Sequence, residues 1–391
     1  MSVSQPDRPS RRPERPWFSS GPTAKRPGWK AEDLGGALVG RNIRAPAVLA
    51  RFRQGVQMTR EVLEVPDSHR IVLVPGSDTG AMEAAMWGLL GCRPVQTLAY
   101  ENFGRLWASD LLNHLGIGAE VIAAGFGELP DLSRVDPAAD LVFVWNGTTS
   151  GVRVPNGDFI AADRQGLTIC DATSAAFCMD IAWDKVDVLT FSFQKALGGE
   201  AGAGMAILGP RAIERLNSYV PPRPLPKVIR LQVDGRADES LFDGGLINTF
   251  SLLTLEDWMD ALRWAARIGG LAELKRRTLA NYQAIEDWVA RTPWVEFVAR
   301  DRAIRSETSV CLEIVDSSFR SALEADQLAT LGRMFMGLEK EGVAFDINAH
   351  RSAPPGLRIW CGPTVETADL ETLTPWLEWA WAAANADLAA A

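Results

Sequence analysis

The sequence predicts an α/β protein built on a mostly parallel sheet, and three observations carry that expectation. Short apolar runs rich in β-branched residues alternate with stretches of helical periodicity. Several of those runs are apolar from end to end, as strands covered on both faces are. Four of the segments end in glycine, hydroxyl or charged residues, where an open α/β sheet binds its ligands.

The strand candidates span residues 71–74, 95–99, 120–123, 141–145, 168–170, 186–192 and 205–208, a set of seven. A helix over 47–63 precedes them, and helical patterns over 81–90 and 106–115 fall between them. After the proline-rich stretch PPRPLP at 221–226 the character changes. Two amphipathic helices, 255–268 and 271–290, are broken by Gly269-Gly270. Strands at 309–315, 343–347 and 357–360, with helices over 326–340 and 368–384, form a smaller α/β unit. Trp376 and Trp379 lie one turn apart and belong to its core. The expected organisation is therefore an arm over 1–16, a large domain over 17–268 and a small domain over 269–391. The arm, MSVSQPDRPSRRPERP, is rich in proline and arginine with almost nothing to bury, and is expected to be disordered.

Composition narrows the classes. The chain has 391 residues, 47% of them apolar and 23% charged, as soluble globular proteins do. A net charge of −9 argues against a general nucleic-acid binder, and no apolar run approaches the length of a membrane span. Five scattered cysteines point to reduced thiols in a cytoplasmic protein, and three histidines without ligand spacing give no reason to expect a metal.

Chemistry concentrates around Lys195, in VDVLTFSFQKALGGEAGAGMAILG. A lysine at the end of a buried strand loses hydration, which disfavours its ammonium form and makes a nucleophilic amine suited to a Schiff base with an aldehyde cofactor. Three other segments join it. VPGSDTGAM at 74–82 reads as strand, turn and helix start, where backbone N–H groups with Ser77 and Thr79 would cradle a phosphate, although an ordinary helix cap by Ser77 or Asp78 fits as well. NGTTSG at 146–151 offers Thr148 to a phenolic oxygen, with a plain turn as the equal alternative. Asp171, ending LTIC, is costly to bury without a cationic partner, and a protonated pyridine nitrogen would be one; helix capping is the alternative. Together and in this order the four describe a pyridoxal 5'-phosphate site.

On SSGPTAKRPGW, VPGSDTGA, FVWNGTTSGVRVPN, LTICDATSA, SFQKALGGEAGAG, INT and PPGLRIWCG, the chain resembles the class V, fold-type I aminotransferases, and within them the phosphoserine aminotransferase family in its alphaproteobacterial and archaeal form. The resemblance covers about residues 18–364. It implies that Lys195 holds the cofactor aldehyde and Asp171 pairs with the ring nitrogen, with Trp107 stacked on the ring and Thr148 at the phenolic oxygen. It places Ser77, Asp78 and Thr79 at the cofactor phosphate, with Gln194 and Thr173 or Ser174 nearby. Asn248 and Thr249 would reach that phosphate from the other subunit of a homodimer with shared active sites. His350, Arg351 and Arg358 would bind the anionic substrate, and Arg44 the substrate phosphate across the dimer. The implied reaction moves the amino group of O-phospho-L-serine to 2-oxoglutarate, in serine biosynthesis, with the phosphohydroxythreonine step of vitamin B6 synthesis as a second role. The chain departs from the family at Asn42-Ile43-Arg44, where a histidine is usual before the arginine, at Gly202-Ala203-Gly204, and at Phe250. A class V aminotransferase with a non-phosphorylated substrate, of the alanine–glyoxylate kind, and a non-catalytic cofactor-binding protein are the competing readings.

Overall fold

The computed structural model describes residues 6–390, with side chains through 386. In chain order the principal elements are α1 (Pro46–Leu63), β1 (Arg70–Pro75), α2 (Ser77–Leu89), β2 (Val95–Ala99), α3 (Asn102–Ser109), β3 (Ala119–Ala123), β4 (Asp140–Val144), β5 (Thr168–Asp171), β6 (Val188–Ser192), β7 (Ala203–Leu208) and α4 (Pro210–Ser218). They continue with α5 (Leu252–Ile268), α6 (Gly270–Arg291), β8 (Val295–Phe297), β9 (Ser309–Ile314), α7 (Glu324–Lys340), β10 (Gly356–Trp360) and α8 (Thr367–Ala390).

The central sheet has seven strands in the order β1–β7–β6–β5–β4–β2–β3. β6, β5, β4, β2 and β3 run parallel, while β7 lies antiparallel between β1 and β6. β2, β4, β5 and β6 are buried at every position, because helices cover both faces and leave no solvated side. One face packs against α1 and α5, where Phe193 stacks on Trp258 at 4.2 Å. The other packs against α2 and α4. The parallel strands therefore all deliver their carboxyl ends to one edge, where β4, β5 and β6 end side by side.

A second core gathers α6 from Tyr282 onward, β8, β9, β10, α7 and α8 around Trp288, Trp360 and Trp376. Its sheet is antiparallel, in the order β8–β9–β10. The helix break at Gly269 falls where expected, but α6 serves both cores: Leu274 packs with the large sheet and Tyr282 with the small one.

Three expectations need correction. Residues 6–16, read as a disordered arm, are fastened to the C-terminal unit; residues 1–5 lie outside the described part. Arg12 pairs with Glu341 at 2.9 Å, Glu14 N donates to Asp369 at 2.7 Å and Trp376 Nε1 donates to the Arg11 carbonyl at 2.6 Å. Phe18 continues the segment into the small core. Second, 343–347 is not a strand: Asp346 takes a left-handed φ of 56°, which breaks extended geometry and leaves single bridges to Trp17 and between Asn348 and Leu357. Third, β8 is a strand the sequence pattern does not announce. Among the described residues no helix is long and apolar enough to cross a membrane.

Candidate active site

Lys195 follows β6 in a tight turn closed by Gly198 N to Lys195 O and Gly199 N to Phe193 O, both at 2.9 Å. The side chain is only 9% exposed, and its amine donates to the Ser20 carbonyl. A Cβ at Gly21 would sit 2.4 Å from Lys195 Nζ and push the amine from its place, and the backbone φ of 148° there is one that side-chain-bearing residues rarely adopt. Burial, then the positive charge of Arg358, lowers the Lys195 ammonium to about 8, against the opposing pull of Asp171, Glu101 and Asp78. Roughly a tenth of such an amine is uncharged at pH 7, against less than a thousandth for a solvated lysine.

Asp171, at the end of β5, is buried beside it. Its Oδ1 accepts from Thr173 N at 3.0 Å and its Oδ2 from Trp107 Nε1 at 3.2 Å. The local turn and the functional orientation are thus held by the same carboxylate, and no helix follows for it to cap. Thr148 lies on the loop after β4 and donates from Oγ1 to Ser174 Oγ at 2.9 Å. Ser174 in turn donates to the Asn146 carbonyl at 2.8 Å.

The turn between β1 and α2 closes the pocket. Gly76 occupies the helix cap with no side-chain cap, so neither Ser77 nor Asp78 satisfies the first N–H groups of α2. These groups and the helix dipole make an anion site. Ser77 itself holds a left-handed φ of 59°, a conformation uncommon outside glycine. Burial, then the charge of Asp171, pushes the Asp78 carboxyl well above the usual carboxylate range, and neither of its oxygens has a hydrogen-bond partner.

These elements enclose a cavity of about 240 Å³ lined by Ser77, Asp78, Thr79, Trp107, Thr148, Asp171, Thr173, Gln194 and Lys195, nine residues singled out from the sequence. The sequence reasoning passed over Gly21, Phe103, Asn146 and Ser192, which also line it. Only the SSGPT stretch hinted at the first. Arg358 stands apart from the lining but close enough to depress both Lys195 and His350, the latter after burial. Burial lowers the Arg358 guanidinium in turn, and its Nε is buried without a partner. His350 and Arg351 lie on the loop before β10, and His350 Nδ1 pairs with Ser352 Oγ at 2.7 Å. Arg44, Asn248 and Thr249 are not brought to Lys195; they line a separate cavity of about 1000 Å³ with Arg41, Ile43 and Arg53.

The pocket fits pyridoxal phosphate on its own terms. Thr173 Oγ1, Ser192 Oγ, Gln194 Oε1 and both Asp78 oxygens are buried with no protein partner, an expensive arrangement unless a polar ligand completes it. The uncapped N-terminus of α2 suits a phosphate, the Asp171 carboxylate a ring nitrogen, and the Lys195 amine an aldehyde. Fold and site together define a pyridoxal-phosphate-dependent aminotransferase of fold-type I. The chain is 49% identical to the phosphoserine aminotransferase of Methanosarcina mazei, over 96% of its own length and 99% of the relative's; it belongs to the phosphoserine aminotransferase family. Among solved structures it superposes on a phosphoserine aminotransferase of Cytophaga hutchinsonii with a TM-score of 0.80 at 19% identity, covering 93% of this chain and 98% of that one. A ureidoglycine–glyoxylate aminotransferase of Bacillus subtilis follows at 0.78 and 17%, covering 97% and 96%, so the fold alone does not discriminate substrates. No protein-family model matches the chain.

Proposed function

We propose that this protein transfers the amino group of O-phospho-L-serine to 2-oxoglutarate, giving 3-phosphohydroxypyruvate and L-glutamate, as a cytoplasmic enzyme of serine biosynthesis. The observation that carries the reading is a pair of cations, buried Lys195 and half-buried Arg358, the latter with no acidic partner among the described residues. A guanidinium so placed attracts an anion, and its charge reaches the amine that does the chemistry. Both substrates bring an α-carboxylate for Arg358 and a second anion for His350 and Arg351.

When bound, pyridoxal phosphate supplies an aldehyde for the amino group and a ring that takes up the electrons of the broken Cα–H bond. Lys195 Nζ would take the proton from the donor's α-carbon and return it to the cofactor carbon. Asp171 would hold a proton at the ring nitrogen, and Trp107, which donates to that carboxylate, would stack on the ring. The first turn of α2, with Ser77, Thr79, Thr173 and Gln194, would bind the phosphate, and Thr148 the phenolic oxygen. The large unit (17–268) would hold the cofactor, and the small unit (269–391) would bring the substrate-binding loop.

A homodimer completes the reading. Asn248, Thr249 and Arg44 face a cavity of their own, which supports a role in the neighbouring subunit's site. Ile43, where a histidine is usual, favours a weaker grip on the phosphate and keeps a non-phosphorylated donor in view. The test is the single-turnover bleaching of the cofactor's visible absorbance with phosphoserine, serine, alanine and glutamate. Phosphoserine should be fastest among the first three; a faster reaction with alanine or serine replaces phosphoserine as donor. Phosphohydroxythreonine in the same assay probes the vitamin B6 role.

A further inference from the structure

Glu101 precedes α3 and is completely buried, yet the groups that hold it are neutral. Its Oε1 accepts from Gly104 N at 2.6 Å and its Oε2 from Thr149 Oγ1 at 2.9 Å. Thr149 Oγ1 in turn accepts from Asn102 N at 2.9 Å, closing a ring across α3 and the 146–151 loop. The loop reaches the carboxylate so closely that a Cβ on Gly147 would lie 2.8 Å from Glu101 Cγ. Burying a carboxylate among neutral donors is costly, and burial duly pushes Glu101 up to about 7. A glutamine or serine would cap the helix without that cost.

What the ring holds gives the cost a purpose. Six residues further along α3 is Trp107, bonded to Asp171; one residue before Thr149 is Thr148, bonded to Ser174. On its outer side, Asn102 Oδ1 accepts from Ser352 Oγ at 3.2 Å, and Ser352 Oγ pairs with His350 Nδ1 at 2.7 Å. A continuous chain of hydrogen bonds therefore runs from the loop that carries His350 and Arg351 to the two elements that present Trp107 and Thr148.

We propose that Glu101 is a positioning residue for the reaction, and that through Thr149 and Asn102 it couples the seating of the His350–Arg351–Ser352 loop to Trp107 and Thr148 in the cofactor pocket. This rests on the reading of the Lys195 pocket given above. Glu101 touches neither substrate nor cofactor; it acts by fixing the angle of α3 against the 146–151 loop. Ser352 docking on Asn102 then loads the same framework that orients Asp171.

The experiment is a double-mutant cycle on Glu101→Gln and Ser352→Ala, with Thr149→Val as a second entry to the same ring. Three readouts are taken: the single-turnover rate with phosphoserine, the dissociation constant of pyridoxal phosphate from titration of the apoprotein, and thermal stability. Coupling predicts losses of about tenfold and about fivefold in rate for the single variants, and about tenfold, not the product of about fiftyfold, for the pair. Ser352→Ala, at a residue that does not line the cofactor pocket, should weaken cofactor binding about threefold. Glu101→Gln should be at least as stable as the unmodified protein, since a buried charge is removed. Multiplicative losses, or cofactor affinity untouched by Ser352→Ala, overturn the relay while leaving the enzyme reading intact. If Glu101→Gln does not fold, Thr149→Val with Ser352→Ala decides by the same non-additivity. An unmodified protein that transaminates none of the donors refutes the enzyme reading instead.

Discussion

The Lys195 pocket and the loop that carries His350 and Arg351 both hold positive charge, near enough for Lys195 to act on His350, and they are built in opposite ways. Lys195 is buried behind strand ends that no single side chain can move, and its neighbours are unsatisfied polar atoms waiting on a ligand. Arg351 is exposed, on a loop that follows the left-handed Asp346 and docks through Ser352 and Asn102. The first arrangement shifts the acid–base character of its groups; the second leaves a charge in high dielectric where screening is strong. The chemistry of the amino group is therefore expected to tolerate almost no change, and donor preference to shift in small steps.

The largest effect tests the rigid side. Lys195→Ala should lower turnover by at least about 10³-fold while the α2 turn and Asp171 still retain the cofactor. Borohydride reduction of the unmodified protein followed by peptide mapping should label Lys195; label on another lysine breaks the comparison at its root. Arg358→Ala comes next, with a loss of about 100-fold for every donor alike, as expected of a bidentate charged contact worth roughly 3 kcal/mol. Single-turnover rates across the donor panel measure it, and a loss confined to phosphoserine would move Arg358 to the variable side.

A pH series sharpens the contrast. Lys195 is ammonium below about 8 and free amine above it, so the rate at which the apoprotein captures pyridoxal phosphate covalently should rise about tenfold between pH 7 and 9 and then level off. A rise that continues to pH 10 would mean a solvated lysine. The same depression makes the fold more stable as pH climbs from about 8 toward the unfolded lysine's 10.5, because the unfolded chain binds the extra proton. Smallest is Arg351→Gln, expected to lower the preference for phosphoserine over serine about fivefold, the scale of one exposed ion pair. An unchanged ratio of the two rates would remove Arg351 from substrate selection.

The site was far more legible than its supports. Continuous apolar runs announce strands buried on both faces, and a lysine, an aspartate and a glycine–hydroxyl turn at their ends announce chemistry; Ser77, Thr79, Thr148, Asp171 and Lys195, so chosen, line one cavity, joined there by Trp107 and Thr173, which only the resemblance named. Glu101 gave no signal, since nothing in a lone acid before a helix reveals that it is buried and hydrogen-bonded to a threonine 48 positions away. Asn248, Thr249 and Arg44 were reached by resemblance alone, and a single chain does not bring them to Lys195. The run VAFDI at 343–347 has the composition of a strand, but the backbone turns at Asp346 and its apolar residues are buried by packing instead. The basic arm misled for a related reason. Its arginines read as solvated, whereas Arg15 donates to the Thr364 carbonyl at 3.0 Å and Arg12 finds Glu341.

That arm bears on how the chain comes off the ribosome. Trp376 Nε1 holds the carbonyl of Arg11 across 365 residues of sequence, and Phe18 fills a core made otherwise of residues beyond 280. Synthesis runs from the N-terminus at about 5–20 residues per second, so this segment emerges with no surface to lie on and must wait until α8 has been made. The large sheet can form meanwhile from strands that follow one another in sequence. The C-terminal core cannot close until both ends meet, a loop closure among the longest the chain offers. Ser20, just beyond the arm, gives its carbonyl to Lys195, so the segment that fastens the two ends of the chain runs directly into the wall of the cofactor pocket. A nascent or truncated chain lacking α8 would carry every residue of the cofactor pocket and still leave the arm without Asp369 and Trp376, partners that hold it.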